Sequence, residues 1–295
     1  MANTNTITLV VVSDDHYVIL LAALIKSIEE NLSACVKIDL WIVEDGISKE
    51  SMQKMHASVN PQITTIRWKN IHDITVGANL PKDKSSFPLN IYARLFIPYF
   101  IPENIEKALY LDVDMIVLAD LYILWNIDLG NYTLAAVKDP RVQTFDNDWG
   151  GVLNYKELGL NGKSTYFNTG MLLMNIRKWR EENIAYKVID VVSKNIKYAN
   201  YPDQYGLNIV LAGNWLELDA KWNHFVTIDD DTPYIIHFVN RKPLYKAYAN
   251  SPVYRDYFYR YLDQTRWRGT KQIGESKRRF KKIKNILNKI TGRRQ

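Results

Sequence analysis

The sequence predicts an α/β fold in which helices cover both faces of a parallel β-sheet. Short runs rich in Val and Ile alternate with segments of helical periodicity. Predicted strands over 7–12, 36–43 and 62–68 are separated by helices over 17–30 and 48–58. The strand runs are nearly all apolar, which is typical of strands that are buried on both faces of a parallel sheet.

This alternation continues through the second part of the chain. The expected elements are a helix over 92–99 that stops at Pro98, strands over 109–118 and 133–137, a polar loop over 138–163, a strand over 167–175, a helix over 176–198 and a strand over 234–239. Ligands of open α/β sheets bind at the carboxyl ends of the strands. Residues 13–15, Ser-Asp-Asp, follow the first strand and therefore lie at an expected ligand-binding edge.

The composition is that of a globular protein whose charge is unevenly distributed. The 295 residues are 47% hydrophobic and 24% charged, which suffices for one or two domains. Twelve of the 38 basic residues, but only one of the 32 acidic residues, lie in 266–295, so this tail carries +11 and the rest of the chain −5. We therefore predict one globular domain over 1–265 and a basic tail with its own task over 266–295.

Cysteine usage and the length of the apolar runs predict a cytoplasmic protein. The single cysteine, Cys35, cannot form an intrachain disulfide, which fits a reducing compartment and excludes metal sites built from several thiolates. No basic residue precedes the first apolar run, so a signal peptide is not expected. The apolar stretch over 17–25 is shorter than the about 20 residues of a membrane-spanning helix, so any membrane contact would be peripheral.

Asp112 and Asp114 are the strongest chemical signal. They interrupt the apolar run LYLDVDMIVL two positions apart, so that in a strand both carboxylates face the same side. Buried like charges without partners are costly, which makes a cation the natural explanation. Two carboxylates that leave coordination positions open suit Mg²⁺ or Mn²⁺ that bridges substrate phosphates. The alternative is a strand-end pair satisfied by backbone N–H groups or by an arginine.

His237 and Lys242 extend this set. His237 lies in the apolar run YIIHFV, where it is a candidate third metal ligand, and an imidazole would favour Mn²⁺ over Mg²⁺. Lys242 follows it closely and could neutralise a phosphate as a point charge. The alternatives are a core histidine whose hydrogen bonds are satisfied and a solvated loop lysine.

Taken together, the motifs resemble glycosyltransferase family 8, the retaining enzymes that use UDP-sugars, and especially the bacterial lipopolysaccharide α-galactosyl- and α-glucosyltransferases. The resemblance runs from about residue 7 to residue 244 and comprises, in order, VVVSDDHYVILLAALIKSI, WIVEDGIS, YARLFIP, LYLDVDMIV, YFNTGMLLMNIRKWR, DQYGLN and IIHFVNRKP. A D-x-D pair alone occurs in many nucleotide-sugar enzymes, whereas this ordered set is specific. The resemblance implies a GT-A fold, with a Rossmann-like mixed sheet flanked by helices, and a single catalytic domain over 1–265.

The resemblance also implies roles on the nucleotide side of the site. Asp112, Val113 and Asp114 would bind the UDP-sugar, and both carboxylates would hold Mn²⁺, with Mg²⁺ as the alternative. His237 would be the third protein ligand, and Lys242 would contact the diphosphate. The uridine pocket would be lined by Ser13, Asp14 and His16.

On the sugar side, Arg94 would reach the donor sugar or its phosphate. Asp203, Asn168 and Asp139 would hold sugar hydroxyls, with Asp139 towards the acceptor, and Gln204 would lie beneath the anomeric carbon. The residues alone allow plainer interpretations: a strand entry at Asn168, a helix N-terminus at Asp203 and Gln204, and an ion pair on a helix surface for Arg94.

The chain departs from the family pattern at several points. Tyr205 stands where the family often has the second aspartate of D-Q-D, and Asn240 stands where a glycine commonly follows the metal histidine. The spacing from His237 to Lys242 is one residue shorter than in close relatives, which affects the assignment of the lysine. The segment before YARL is also shorter, so the choice of sugar cannot be transferred.

The implied activity is retaining transfer of galactose or glucose from a UDP-sugar to a hydroxyl of a glycan or glycolipid acceptor. Gln204 carries an amide, which is a poor nucleophile, so front-face attack is favoured and Asp203 is the alternative nucleophile. A catalytically silent carbohydrate- or membrane-binding protein on the same fold is the alternative from another class. An enzyme that transfers nucleotidyl or phosphoryl groups is a third interpretation, but no P-loop signature supports it.

The basic tail is predicted to form an amphipathic helix. Within 277–290, the apolar residues recur at spacings of three and four, at Phe280, Ile283, Leu287 and Ile290, with lysines and arginines between them. Such a helix suits an anionic membrane surface, here the inner face of the plasma membrane. Few aromatic residues are interleaved, so nucleic acid is not an expected partner. The alternative is a disordered solubilising tail.

Overall fold

The computed structural model describes residues 5–75, 77–81, 88–228, 232–276, 279–280, 283 and 287. The strands in these ranges are β1 (Thr6–Asp14), β2 (Lys37–Asp45), β3 (Thr64–Asn70), β4 (Lys107–Leu111), β5 (Met115–Val117), β6 (Leu134–Lys138), β7 (Phe167–Asn175), β8 (Trp215–Leu218), β9 (His224–Phe225) and β10 (Ile235–His237). The α-helices are α1 (Val18–Asn31), α2 (Lys49–His56), α3 (Ile71–Ile74), α4 (Ile97–Phe100), α5 (Leu121–Trp125), α6 (Ile176–Glu181), α7 (Ile184–Lys194), α8 (Pro202–Val210) and α9 (Pro252–Leu262). Two 3₁₀ helices, Leu89–Phe96 and Ala220–Asn223, complete the described elements.

The central sheet is mixed and holds seven of the described strands in the order β3-β2-β1-β4-β7-β6-β8. Neighbours among β1 to β4 pair in parallel, as the apolar runs predict. The purely parallel sheet expected from these runs is wrong in one strand, because β7 is antiparallel to both β4 and β6. The mixed α/β architecture implied by the family resemblance is thus confirmed.

Both faces of β1 are buried, which explains why its sequence lacks polar alternation. Val10 packs into a cluster with the 3₁₀ helix at 89–96 and with α7 and α8. Leu9 and Val11 face the other way, into a cluster with α1 and α2. β1 therefore buries apolar surface on both sides, at about 25 cal/mol per Å² removed from water, and its carboxyl end is where polar side chains can reach a cavity.

The expected continuous strand over 109–118 is wrong, because the chain turns at the two aspartates. β4 ends at Leu111, and β5 begins at Met115 in a separate sheet of order β5-β10-β9. The Asp112 amide donates to the Gly170 carbonyl at 2.7 Å, and the Asp114 carbonyl accepts from the amide of Phe238 at 2.9 Å. Both aspartates therefore lie in the turn between the two strands rather than in a buried strand. The pairing of β5 with β10 places His237 opposite Met115.

Two helix expectations also need correction. Pro98 does not end a helix; it lies in the first turn of α4, where its missing N–H costs no hydrogen bond. The predicted helix over 176–198 divides into α6 and α7, because Asn183 adopts a left-handed conformation with φ of 52°. An asparagine tolerates that conformation better than most side chains.

The described part of the basic tail begins on the body of the protein. Trp267 and Ile273 pack against a cluster formed by α1, α9 and β10, and the Arg266 amide donates to Ser58. Of the predicted amphipathic helix, several positions lie outside the described residues, namely Lys277, Arg278, Lys281, Lys282, Lys284 and Ile290. In the described ranges, no helix combines the length and the apolar character needed to cross a membrane.

Candidate active site

A cavity of about 580 Å³ opens at the carboxyl ends of β1 and β4. Its size is that of a small-molecule site. Twelve of the thirteen predicted site residues line it: Ser13, Asp14, Arg94, Asp112, Val113, Asp114, Asp139, Asn168, Asp203, Gln204, His237 and Lys242.

His16 is the predicted residue that the structure leaves out of this cavity. Its Nε2 lies 2.6 Å from the Tyr245 hydroxyl, and it lines a neighbouring cavity of about 830 Å³. The Tyr17 amide donates to Asp14 and turns the chain into α1, so that Tyr17 reaches the main cavity instead.

Asp112 and Asp114 each give one oxygen to a cationic neighbour and direct the other towards His237. Asp112 Oδ1 accepts from Arg94 at 3.1 Å, and Asp114 Oδ2 pairs with Lys242. The free Asp112 Oδ2 and Asp114 Oδ1 lie 3.9 and 3.4 Å from His237 Nε2. One ligand atom from each of the three residues can be chosen so that all lie within 4.8 Å of one another. This is a set of ligands that could hold one divalent cation.

The hydrogen bonds behind His237 fix which ring nitrogen is available. The Gly170 amide donates to Asn168 Oδ1 at 2.9 Å, and Asn223 Nδ2 donates to the same oxygen at 2.8 Å. The Asn223 Oδ1 must then face His237 Nδ1, 2.8 Å away, and accept its proton. Nε2 of the neutral ring consequently carries a lone pair directed at the two carboxylates, as metal-binding histidines require.

Gly170 allows this arrangement by its lack of a side chain. A Cβ at this position would lie 2.6 Å from His237 Cε1 and 3.0 Å from the Met115 side chain. The glycine is therefore required by close approach rather than by an unusual backbone angle. The motif FNTG, interpreted from sequence as a possible strand entry, thus places both Asn168 and Gly170 against the histidine.

Lys242 holds the Asp114 carboxylate in its charged form. Burial raises the pKa of Asp114, but the charge of Lys242 outweighs it and keeps the pKa well below the usual range. Lys242 Nζ also donates to the Phe238 carbonyl at 2.6 Å. The plain interpretation of a solvated loop lysine is therefore wrong, because the amine lies inside the cavity wall.

Arg94 connects the aspartate pair to α8. Its guanidinium donates to Asp112 at 3.1 Å and to the Thr169 carbonyl at 2.6 Å, and its Nε lies 3.2 Å from Asp203 Oδ2. It also stacks over the Tyr110 ring at 4.6 Å. Burial opposes its charge, but Asp112 keeps the pKa of Arg94 above its ordinary value. The surface ion pair considered for Arg94 does not exist, since the side chain is buried.

Gln204 and Asp139 form a closed hydrogen-bond network at the other side of the cavity. Gln204 Oε1 accepts from the Thr169 amide and from Asn168 Nδ2, both at 3.1 Å. Gln204 Nε2 donates to Asp139 Oδ2 at 3.2 Å. The other oxygen of Asp139 accepts the backbone amide of Arg141 at 2.9 Å. Both side chains are held in single orientations.

Two of the departures from the family pattern, at Tyr205 and Asn240, have structural explanations. Tyr205 is turned away from the cavity, and its hydroxyl donates to Asn154 at 2.7 Å in the core. Asn240 has φ of 66°, the left-handed conformation that a glycine would adopt easily. Asparagine is among the residues that tolerate this region best, so the backbone beside the cavity is preserved.

Sequence reasoning missed Asn223, Thr169 and Arg141. Asn223 lies in the 3₁₀ helix Ala220–Asn223 and contacts His237 of β10. Thr169 lies in β7 and contacts Gln204 of α8. Both contacts join segments that are distant in the sequence. Thr169 lay inside the quoted motif FNTG, which was a usable signal. Nothing in the local sequence of Asn223 indicates its contact.

We expect Asn223→Ala to weaken Mn²⁺ binding by about 10- to 100-fold, because loss of a ligand's supporting hydrogen bond costs this much in metal sites. Titration of Mn²⁺ followed by electron paramagnetic resonance measures it. Asn214→Ala is the matched control, since that amide bonds to Thr133 outside the cavity. Unchanged Mn²⁺ affinity in a folded Asn223→Ala protein would contradict the assigned tautomer of His237.

The chain is similar in sequence to a known protein family. A family profile described as glycosyl transferase family 8 matches residues 8–244. General stress protein A of Bacillus subtilis strain 168 is 26% identical over 86% of this chain and 92% of its own length. Glycosyltransferase GlyF of Streptococcus pneumoniae serotype 4 is 30% identical over 84% of this chain, but the match spans only 61% of GlyF.

The solved structures show the same fold. Galactosyltransferase LgtC, in complex with donor and acceptor sugar analogues, has a TM-score of 0.75 and 24% identity, and covers 90% of this chain and 100% of its own. The bifunctional glycosyltransferase WbbM also has a TM-score of 0.75, with 23% identity, over 91% of this chain and 51% of its own. With the family profile matching over most of its length, the chain belongs to glycosyl transferase family 8, a family of glycosyltransferases.

Proposed function

We propose that this protein is a retaining hexosyltransferase that moves galactose or glucose from a UDP-sugar to a hydroxyl of a glycan or glycolipid acceptor, with Mn²⁺ as its cation. The single observation that carries the proposal is the convergence of Asp112, Asp114 and His237 in one cavity of a family 8 chain. A silent binding protein would have no need to keep this costly arrangement of buried charge.

The residues present fit a divalent cation. Two carboxylate oxygens and one imidazole nitrogen form a mixed oxygen and nitrogen set, which suits Mn²⁺ better than Mg²⁺. Asp112, Asp114 and His237 would hold the ion and leave positions for phosphate oxygens. Bound there, the cation would supply charge neutralisation to the departing diphosphate.

Lys242 would supply a second positive charge to the same diphosphate. Its amine lines the cavity beside Asp114, and the loop that carries it begins at Asn240 in the left-handed conformation. A diphosphate in this position would compete with Asp114 for the amine. The leaving group would thus be stabilised by fixed charges rather than by water, as preorganised sites do.

Front-face transfer is favoured by the hydrogen bonds of Gln204. Both hydrogen bonds that reach its amide oxygen from Thr169 and Asn168 draw electron density away from an already weak nucleophile. The amide dipole can still stabilise positive charge that develops on the anomeric carbon. Asp203 is a poor alternative nucleophile, because it is buried and ion-paired with Arg94.

In this mechanism the acceptor hydroxyl attacks the anomeric carbon from the face that UDP leaves. The new glycosidic bond forms as the bond from the sugar to the phosphate oxygen breaks, and the leaving phosphate takes the hydroxyl proton. Asp139 and Asn168, which share hydrogen bonds with Gln204, would hold sugar hydroxyls. Such positioning can contribute much of the rate.

Release of UDP from a panel of UDP-sugars in the presence of Mn²⁺ tests the proposal. We expect UDP-galactose or UDP-glucose to be hydrolysed slowly without acceptor, and Asp112→Asn and Asp114→Asn to lower that rate at least about 100-fold, as removal of a key electrostatic group does. Asp128→Asn, at an exposed position after α5, is the matched control.

Two readouts distinguish the mechanisms within the same experiment. NMR of the released sugar, recorded before it mutarotates, should show the α-configuration of the donor, which any retaining mechanism predicts. Mass spectrometry of quenched enzyme should show no sugar on the protein, which only front-face transfer predicts. A glycosylated Gln204 or Asp203 peptide would rule out front-face transfer. Undiminished UDP release by both aspartate variants would rule out the metal assignment.

We also propose that the tail attaches the enzyme to an anionic membrane surface, where lipid-linked acceptors lie. Phe280, Ile283 and Leu287 are described as helical residues, and 71%, 57% and 53% of their surfaces are exposed. Their spacing sets them on one side of a helix. The sequence adds the charge of +11 over 266–295 that such a surface would attract.

Wild type should float with vesicles of anionic phospholipid, and a chain that ends at Ser276 should not. Neither protein should float with vesicles of neutral lipid. This end point keeps Trp267 and Ile273, which pack on the body. Phe280→Ser with Ile283→Ser is the matched variant at full length. Equal flotation of the shortened and intact chains would contradict attachment through the tail.

A further inference from the structure

Arg141 differs from the other basic side chains of the cavity in having only neutral partners among the described residues. Four basic side chains line the cavity: Arg94, Arg141, Arg241 and Lys242. Three of them pair with acids, as shown for Arg94 and Lys242 and by the 3.3 Å contact of Arg241 with Glu275. Arg141 instead donates to Asn240 at 3.3 Å and to Thr227 at 3.4 Å. Within the part of the chain that the structure describes, no acid therefore pairs with the charge of Arg141.

The guanidinium of Arg141 is held in place rather than extended into water. It stacks over the Phe225 ring with its Cζ 5.2 Å from the ring centre. Its backbone is fixed as well, because the Arg141 amide donates to Asp139 and its carbonyl accepts from Asn147 at 3.3 Å. A planar guanidinium that is already ordered binds an oxyanion with a smaller loss of entropy.

The same loop presents an aromatic surface beside this charge. Asn147 Oδ1 accepts the amides of Trp149 and Gly150, which fixes the turn. Trp149 lines the cavity with 56% of its surface exposed, and its ring lies 6.0 Å from that of Tyr201. Tyr201 and Arg141 line the same cavity. Exposed aromatic faces at a cavity rim suit a pyranose ring.

We propose that Arg141 makes this enzyme select an acceptor sugar that carries an oxyanion, either a carboxylate or a phosphate, while Trp149 stacks on its ring. This inference rests on the proposed transfer reaction. The acceptor side is indicated because Arg141 belongs to the loop of Asp139, whereas Lys242 and the aspartate pair serve the diphosphate. Residues 229–231, three aspartates, lie outside the described residues.

The test measures binding of matched sugars to the full chain loaded with UDP and Mn²⁺. Saturation-transfer NMR measures the binding of three pairs, each with one neutral and one anionic sugar. The pairs are methyl glucoside and methyl glucuronide, methyl galactoside and methyl galacturonide, and glucose and glucose 6-phosphate. At least one anionic member should bind more tightly than its neutral counterpart. Arg141→Gln should weaken that binding on the order of 10- to 100-fold, the effect of one charged hydrogen-bonded partner.

Arg141→Lys should recover only part of the loss, because an ammonium lacks the two-pronged geometry. Arg241→Gln is the matched control, since it removes the same charge from the same cavity wall but from a residue that already pairs with Glu275. It should leave the preference for the anionic member unchanged. Neutral sugars that bind as well as anionic ones, or an anionic preference that survives Arg141→Gln, would overturn the proposal.

Acceptor-free release of UDP separates this inference from the reaction on which it rests. The KM for the UDP-sugar should be the same in Arg141→Gln and wild type. A raised KM with unchanged binding of the anionic sugar would assign Arg141 to the donor diphosphate and reject the acceptor role. If wild type releases no UDP from any UDP-sugar, the proposed transfer reaction itself fails.

Discussion

The architecture of the site depends on a charge constraint: two carboxylate oxygens and one imidazole lone pair face one another in a cavity at the edge of a buried sheet. Like charges so close together are stable only with a cation between them or beside them. Arg94 and Lys242 each pair with one oxygen of an aspartate, and the two remaining oxygens, with His237, form a set that could hold a divalent cation. The break between β4 and β5, the glycine at 170 and the position of β10 all serve this convergence.

Much of this could be predicted from the sequence, because the signals are local. Continuous apolar runs gave the parallel strands, and twelve of thirteen predicted residues line one cavity. The D-x-D pair was placed correctly at an edge although the assumed continuous strand was wrong, since both a strand and a tight turn can bring residues 112 and 114 to one side. His16 lines the neighbouring cavity instead, because one hydrogen bond at Asp14 decides which way the following turn faces.

What could not be predicted depends on contacts between distant segments. The tautomer of His237 is fixed by a chain of amides from Gly170 through Asn168 to Asn223, and these residues come from β7 and the 3₁₀ helix before β9. Asn240 stands where the family commonly has a glycine, which predicts a different backbone conformation. Its positive φ shows that the conformation a glycine would adopt is kept. Tyr205 faces the core, so the absent second aspartate leaves no gap in the cavity.

The most direct measurement is a crystal structure of the full chain with Mn²⁺ and UDP, using X-rays near the manganese absorption edge. The account predicts one anomalous peak within coordination distance of Asp112 Oδ2, Asp114 Oδ1 and His237 Nε2, with Lys242 moved from Asp114 to a phosphate oxygen. A peak elsewhere, or none while UDP is bound and Lys242 remains on Asp114, would contradict it.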